Sequence, residues 1–433
     1  MRFAIALMLM PLLPLAVLPA PAMAETAPAA AQDEALLRFL DDAFDARIAL
    51  QPESQTHLGL KTDYDRLDDY TDAAAVREQA LIEQQLKEMK ARFRPEQLGA
   101  SARVSYRLFE YDVERRRASF PFRKLRFPVT TNGSPAGDIP VLLINNHKVD
   151  SVADAEAYIA RLRDTDRVMR EVAATMREQA AAGVVPNKVN FAPARADAKK
   201  ILVGAPFDDG ADSTLLADFR KKVGALDARD AVKDKLIADA TAALTGPFQH
   251  GYEVLIAAID EIEPQSKGNF GVWSLPDGAA YYADRLKNST TTDLTAEQIH
   301  ELGLKQVAAI REEMEAIKRE VGFKGTLEQF FDHIRTDPKF KYPNTQAGRE
   351  AYLTDARAVI AAAMAAAPRY FSVLPKAALD VRAVEKWREA TASTAFYNPP
   401  SADGSRPGIY YVNLVDMNQT QKVQVAAIAA HEG

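Results

Sequence analysis

The chain contains no cysteine in its 433 residues, and it has only six histidines. Catalysis by a cysteine nucleophile, disulfide bonds and metal sites built from thiolates are therefore excluded. An exported protein that lacks disulfides must take its stability from a large core or from a bound ion. A chain of this length is long enough to build such a core, and length alone is typical of two or three domains.

The chain also lacks a strong charge bias, since 54 basic and 60 acidic residues are well mixed and the net charge is −6. This balance predicts no nucleic-acid partner and no attraction to an anionic membrane surface. Glycine-rich phosphate loops are absent, and so is the Gly-x-Ser-x-Gly pattern of a serine nucleophile. Outside the C-terminal segment, the five other histidines have no second histidine three or four residues away.

Residues 1–24 have the pattern of a secretory signal peptide. They contain an early basic residue, Arg2, then an apolar stretch, and end in the triplet Ala22-Met23-Ala24. We expect cleavage after Ala24, because three prolines interrupt the apolar stretch and argue against a membrane anchor. An Ala/Pro tether is expected at 25–32. No later stretch has the apolar length needed to span a bilayer. The mature protein is therefore expected in the periplasm or outside the cell, without stable membrane insertion.

Helical periodicity dominates the rest of the chain. Between Ser151 and Ala182, apolar residues recur at helical spacing, and Ser151 is suited to cap the first turn. The pattern Thr-x-x-Gln predicts helix starts at Thr295 and Thr326, the first opening a second long helix. Further helices are expected near 33–50, 74–92, 101–118, 213–245, 346–367 and 376–390.

Segments typical of strands are few. The best are PVLLINN at 140–146 and GIYYVNL at 408–414, which are short, rich in β-formers and bounded by Pro, Gly or Asn. Loop-rich joins are expected at 119–139, 184–212, 261–293 and 391–407. The sequence therefore predicts a mainly α fold with small β elements, in which residues 33–433 form one mostly helical domain.

The chain ends in VQVAAIAAHEG, which predicts a final helix carrying His431 and Glu432. From Val423 to Ala430 only Gln424 is polar, so we expect this helix to be buried nearly all round. An ionisable pair at the end of a buried helix costs several kcal/mol unless it is paired, and a metal ion is one such partner. The alternative is a frayed terminal helix that ends at Gly433.

The order of elements before this helix favours a metal site. A strand, a short turn and a helix bearing His-Glu match the arrangement of zincin metallopeptidases. There, an edge strand binds the substrate backbone, and the helix carries His-Glu-x-x-His with the glutamate as general base. We therefore expect residues 408–414 to be an edge strand. The second histidine of that motif is absent, because the sequence stops at Gly433.

Several stretches resemble a bacterial family called domain of unknown function 885. They are GLKTDYDRLDDYT (59–71), DAEAYIARL (154–162), LPDGAAYYADRLKNSTTTDLTAEQIHELGL (275–304), HIRTDPKF (333–340) and YNPPSADGSRPGIYYVNL…AAIAAHEG (397–433). The family is similar to zincin metallopeptidases and is mostly helical. Its motif is His-Glu followed by Pro-Gly and a pair of histidines, and only His431, Glu432 and Gly433 of it are present. The resemblance implies that the missing ligands and a further C-terminal portion follow Gly433.

By this resemblance, His431 is the first zinc ligand and Glu432 the general base. The implied function is that of an exported zinc-dependent peptidase-like hydrolase, which cleaves peptide bonds with a zinc-activated water. Tyr410, Tyr411 and Asn413 lie on the expected edge strand and are candidates to hold the peptide. With one ligand and one base, this chain alone is expected to hold no catalytic zinc and to be inactive.

Two alternatives remain open from the sequence. The first is a non-catalytic helical protein of the periplasm that binds or adapts other molecules. The second is a metal-dependent amidohydrolase that does not act on peptides. Imidazole and carboxylate ligands suit several divalent ions, so the metal itself is not determined.

Overall fold

The computed structural model describes residues 27–131, 133–386, 388–389, 392–401 and 404–433. The predicted signal peptide at 1–24 lies outside the described residues. The first helix begins at Ala27, so residues 27–32, which we expected to be a tether, lie in its first turns.

The described chain is mainly helical with a small sheet, which confirms the predicted fold class. Its α-helices are α1 (Ala27–Ile48), α2 (Pro52–His57), α3 (Asp72–Arg92), α4 (Ala100–Ser119), α5 (Pro135–Val141), α6 (Val152–Ala181), α7 (Phe191–Ile201), α8 (Thr214–Gly224), α9 (Asp230–Ala243), α10 (Gln249–Ile262), α11 (Gly278–Thr290), α12 (Ala296–Glu320), α13 (Leu327–Thr336), α14 (Gln346–Ala366) and α15 (Lys422–Glu432). Its strands are β1 (Leu379–Ala383), β2 (Ala395–Asn398) and β3 (Gly408–Val412).

Helix α6 forms the centre of the largest core. The Ser151 hydroxyl accepts a hydrogen bond from the Asp154 N–H and caps the helix, as predicted. The predicted apolar stripe is buried against α10 and the turns around it. At the other end Gly183 has a φ of 78°, a left-handed conformation that glycine adopts without a steric penalty. The local signals of cap, stripe and stop therefore all hold.

Two segments differ in type from the sequence prediction. Residues 140–146, expected to be a strand, complete α5 and continue as a π-helical turn at Leu142–Asn146. Ile139, Leu142 and Leu143 are all buried, and a short apolar run buried on every side has no periodicity that separates a strand from a helix. Conversely, 376–390 was expected to be helical but contains β1, which forms through long-range pairing with β3.

Other boundaries also shift. The helix expected at 213–245 is divided into α8 and α9. The joins expected to be loop-rich at 184–212 and 261–293 contain α7 and α11. These are short helices between turns, and short helices carry weaker periodic signals than α6 or α12.

The sheet has the strand order β1-β3-β2, with β3 parallel to β1 and antiparallel to β2. The strand at 408–412 is therefore the middle strand, and our expectation that it is an edge strand is wrong. Its backbone groups are used on both sides by β1 and β2. Helices α14 and α15 cover one face of the sheet, where Val381, Tyr410 and Val412 are buried. On the other face Tyr411 packs with Phe396.

Helix α12 has an apolar stripe that is exposed in the described structure. The predicted capping box is present, since Thr295 and Gln298 each bond the other's backbone N–H. Along the stripe Val307 is 57% exposed and Ile317 is 52% exposed.

Among the described residues, no helix is long and apolar enough to cross a membrane.

Candidate functional site

Helix α15 places His431 and Glu432 beside the sheet. Val425 and Ala429 are buried against the core under α14, whereas Val423 is 53% exposed. The prediction of burial nearly all round is therefore wrong for this structure, because only one face of the helix meets the described chain. The alanines on the opposite, exposed face of α15 have small side chains and therefore add little apolar surface.

The two C-terminal side chains point to different sides of α15. Glu432 follows Val425 and Ala429 at helical spacing, so it lies on the core side and is half-buried. Burial and the hydrogen bond with Tyr352 are the main causes that raise the pKa of Tyr410, and the charge of Glu432 raises it further. His431 is exposed and follows Gln424 and Ile428 at seven and three residues.

The three residues expected to hold substrate have packing contacts in this structure. The Tyr410 hydroxyl lies 3.1 Å from that of Tyr352. The Tyr411 ring is stacked on Phe396, with ring centroids 5.1 Å apart. The Asn413 side-chain amide donates hydrogen bonds to the carbonyl oxygens of Glu389 and Ala392, at 2.6 and 2.9 Å. Tyr410 and Tyr411 are buried, so direct contact with a peptide stays a prediction.

A polar cleft of about 420 Å³ lies beside the N-terminal half of α15, and we name it the amide cleft. Its polar lining includes Asn413, Asp416, Gln419, Thr420, Gln421 and Gln424. Ile428 lines it as well, so the α15 face that ends in His431 borders this cleft. Such a lining of amides and hydroxyls offers both donors and acceptors to a polar ligand.

Strand β2 has an open edge next to the amide cleft. In the described part of the chain, no strand pairs with its side away from β3. The Asn413 N–H donates to the Thr394 carbonyl, so Thr394 directs its backbone groups toward β3. Since these directions alternate along an antiparallel strand, Ala395 and Tyr397 direct their N–H and C=O groups outward. The sequence predicted a loop-rich join here, and the short run AFYN before two prolines was the signal available for this strand.

A second recess, of about 250 Å³, lies on the opposite face of the sheet. It lies between β2 and the helices α5 and α7, and Ala392 lines both this recess and the amide cleft. Its lining includes Thr130, Ser134, Asp138, Asp197, Lys200 and Phe396. Asp138 is exposed to solvent at this recess, and partial burial of its carboxyl by the surrounding chain raises its pKa to about 6. No local sequence pattern marks Asp138, because its neighbours in the recess come from distant parts of the chain.

The described residues by themselves do not fit a catalytic zinc site. Among them, no group of three or more His, Asp or Glu side chains is gathered that could hold a metal ion. A catalytic zinc ion needs about three protein ligands and an open position. His431 and Glu432 supply one imidazole and one carboxylate, on different sides of α15.

The solved structures similar to this chain share its fold. A predicted lipoprotein of Colwellia psychrerythraea has a TM-score of 0.83 and 23% sequence identity, over 93% of this chain and 71% of that chain. A predicted lipoprotein of unknown function from Shewanella oneidensis has a TM-score of 0.58 and 16% identity, over 92% of this chain and 68% of that chain. No curated protein matches the sequence.

The sequence family gives a match over most of the chain. Residues 52–433 match the family described as "Bacterial protein of unknown function (DUF885)". The match includes the sheet, both clefts and α15. The chain therefore belongs to the DUF885 family of bacterial proteins.

Proposed function

We propose that this chain belongs to an exported metal-dependent hydrolase that acts on peptides. In this proposal the chain binds the peptide and contributes α15, the helix that carries His431 and Glu432. The observation that carries the proposal is the position of the open β2 edge beside the amide cleft, which the His431 face of α15 borders. The predicted signal peptide at 1–24 supports export to the periplasm or beyond.

The β2 edge supports the choice of a peptide as substrate. Ala395 and Tyr397 present outward N–H and C=O groups at the spacing of an added strand. An extended peptide can satisfy these groups with its own backbone, whatever its side chains. We therefore assign the proposed peptide-binding edge to β2 and not to β3, where the sequence predicted it.

His431 and Glu432 are the proposed metal ligand and acid–base group. His431 is exposed on the cleft side of α15, and imidazole is the commonest side-chain ligand of metal ions. Glu432 is a half-buried carboxylate, the kind of group that serves in proton transfer. The remaining ligands, as the family resemblance implies, would follow Gly433. Because the described residues do not complete a zinc site, we assign no reaction step to the metal.

Peptide binding tests the first part of the proposal. Ala395→Pro removes one outward N–H, and proline is tolerated at a sheet edge where that N–H is not in the ladder. We expect this variant to lower the affinity for a fluorescein-labelled, extended peptide about tenfold, the loss of roughly one hydrogen bond. Ala395→Val retains the N–H and is the matched control. Equal affinities for both variants, at equal melting temperatures, would exclude strand addition at β2.

Metal dependence tests the second part. This chain alone should show no zinc-dependent peptide cleavage. A form continued through the family motif should cleave peptides and lose activity in chelator. In that longer form His431→Ala should abolish tight zinc binding, whereas His300→Ala, an exposed histidine on α12, should not. Cleavage by the longer form that persists in chelator would contradict the metal-dependent mechanism.

A further inference from the structure

Helix α12 is exposed on every side over its middle. Each residue of 301–314 is exposed in the described structure, and α12 meets the rest of the described chain mainly at α13. There Lys318 is buried and donates a hydrogen bond to the Gly325 carbonyl oxygen. A helical stretch of this length without tertiary contacts is only marginally stable in water. We therefore expect another structural element to cover it.

One face of α12 has the apolar spacing of a helix–helix contact. Val307, Ile310, Met314, Ile317 and Val321 follow one another at alternating intervals of four and three residues, and all five are exposed. We refer to these five side chains as the α12 stripe. This alternation is the spacing with which one helix packs lengthwise against another. The α12 stripe spans about 21 Å, which is close to four turns of helix.

The charges of α12 favour a protein partner over a lipid surface. Glu313 and Glu320 lie along one side of the stripe, and Arg311 and Lys318 lie along the other. A helix that lies on a membrane surface has a polar face rich in lysine and arginine. Helix α12 contains more acidic than basic residues, so it lacks this composition. Charges of both signs beside an apolar stripe are typical of a helix that packs on another helix.

The covering element that these observations favour is a further part of the same chain. The match to the DUF885 family runs to the last residue, Gly433. This chain covers 71% and 68% of its two solved relatives, so roughly three tenths of each relative has no counterpart here. The segment after α13 pairs with the start of α15 through a bridge between Lys341 and Gln421. Helices α12 and α13 are thus joined to the helix from which such a part would continue.

We propose that the α12 stripe is the docking face for an amphipathic helix of the segment that follows Gly433 in the longer form of this protein. To match the stripe, that helix should have apolar residues at the same alternating intervals over about four turns. The inference requires neither peptide binding nor a metal, because it concerns a surface apart from β2 and the amide cleft.

Single cysteines test the docking face, because this chain has no cysteine of its own. Val307→Cys places a thiol in the stripe, and Glu312→Cys places one on the opposite, exposed face of α12 as the matched control. Reaction with N-ethylmaleimide is followed by mass spectrometry of the peptide that contains each thiol. In this chain both thiols should react at similar rates. In the longer form Val307→Cys should react at least about tenfold more slowly, while Glu312→Cys is unchanged.

A second stripe position keeps the test independent of one variant. Ile317→Cys should show the same protection in the longer form as Val307→Cys. Melting temperatures of all variants, compared with that of the parent, check that each is folded.

A cross-linker identifies what covers the stripe. Benzophenone-4-maleimide is attached to the longer form at Glu313→Cys, beside the stripe, where the label does not occupy the contact itself. On irradiation we expect a cross-link within one molecule to a peptide that follows Gly433. Mass spectrometry of the digested product locates this peptide.

The outcomes separate this inference from the proposed function. Equal reaction of Val307→Cys in the two forms, or equal protection of both thiols in the longer form, would overturn the docking face. Protection that is lost on dilution, or a cross-link between two molecules, would assign the stripe to a second copy and overturn it as well. If Val307→Cys is protected but the longer form neither binds nor cleaves peptides, the proposed function fails and the docking face stands.

Discussion

The hydroxyl oxygens of Tyr352 and Tyr410 lie 3.1 Å apart in the core between α14 and β3. Both side chains are buried, with exposed fractions of 1% and 0%. Burial is the main cause that raises the pKa of each, so both hydroxyls remain protonated and one donates to the other. This hydrogen bond joins a helix to the middle strand beneath Glu432.

Removal of one of these hydroxyls should destabilise the fold. Tyr410→Phe leaves the Tyr352 hydroxyl buried without this partner, and we expect a loss of about 1–2 kcal/mol in the free energy of unfolding. Tyr352→Phe should give a similar loss. The double variant should lose less than the sum of the two, because neither unpaired hydroxyl remains. Urea unfolding of the four proteins measures this coupling, and strict additivity would contradict it.

Two glycines in helices should respond to alanine in opposite ways. A Cβ at Gly348, in the first turn of α14, would lie 1.9 Å from the Pro343 carbonyl oxygen. Gly348→Ala should therefore cost about 1–3 kcal/mol through overpacking. A Cβ at Gly303, inside α12, meets nothing within 4 Å. Gly303→Ala should stabilise the protein by about 0.5–1 kcal/mol, since alanine favours helix. Thermal unfolding checks both, and a loss at both sites would contradict the prediction for Gly303.

The exposed stripe of α12 should bind apolar dyes. The double variant Val307→Lys, Ile317→Lys removes two exposed apolar side chains from one face. We expect lower fluorescence of bound 1-anilinonaphthalene-8-sulfonate and a free energy of unfolding within about 1 kcal/mol of the parent, as for surface substitutions. A much larger loss of stability would show that the stripe is covered in solution. Sedimentation at two concentrations identifies whether a second copy covers it.

Glu53 should make the stability of the fold depend on pH. Burial first, and then the charge of Asp68, raise the pKa of Glu53 from 4.5 to about 7. The folded chain therefore binds more protons than the unfolded chain between these pH values. The contribution of this residue to stability is thus greatest below about pH 4.5 and falls as the pH rises through 7.

Glu53→Gln should remove this dependence and can still accept hydrogen bonds from the Asp68 N–H and the Tyr70 hydroxyl. At pH 8 we expect this variant to be more stable than the parent by roughly 1–2 kcal/mol, with the advantage lost by pH 5. Glu96→Gln, at an exposed carboxylate, is the control. Urea unfolding at both pH values checks the sign, and a variant less stable than the parent at pH 8 would contradict it.

Only part of the candidate site could be predicted from the sequence. The resemblance to DUF885 indicated His431 and Glu432, and the strand at 408–412 was recognised from its β-forming residues. The pairing of that strand could not be predicted, because its partners β1 and β2 lie in segments predicted as helix and loop. As a consequence Tyr410 and Tyr411 were assigned to an exposed edge, although β3 is paired on both sides.

By itself the sequence determined the elements whose signals act within a few residues. Ser151, Thr295 and Thr326 cap their helices through backbone groups three positions away, and the stripe of α6 repeats every turn. The tertiary structure alone decided which strand is the edge, which face of α15 is buried and which carboxylate faces a recess. These depend on contacts between residues far apart in the chain, such as Val381 with Tyr410, whose pairing leaves no periodic trace in either segment.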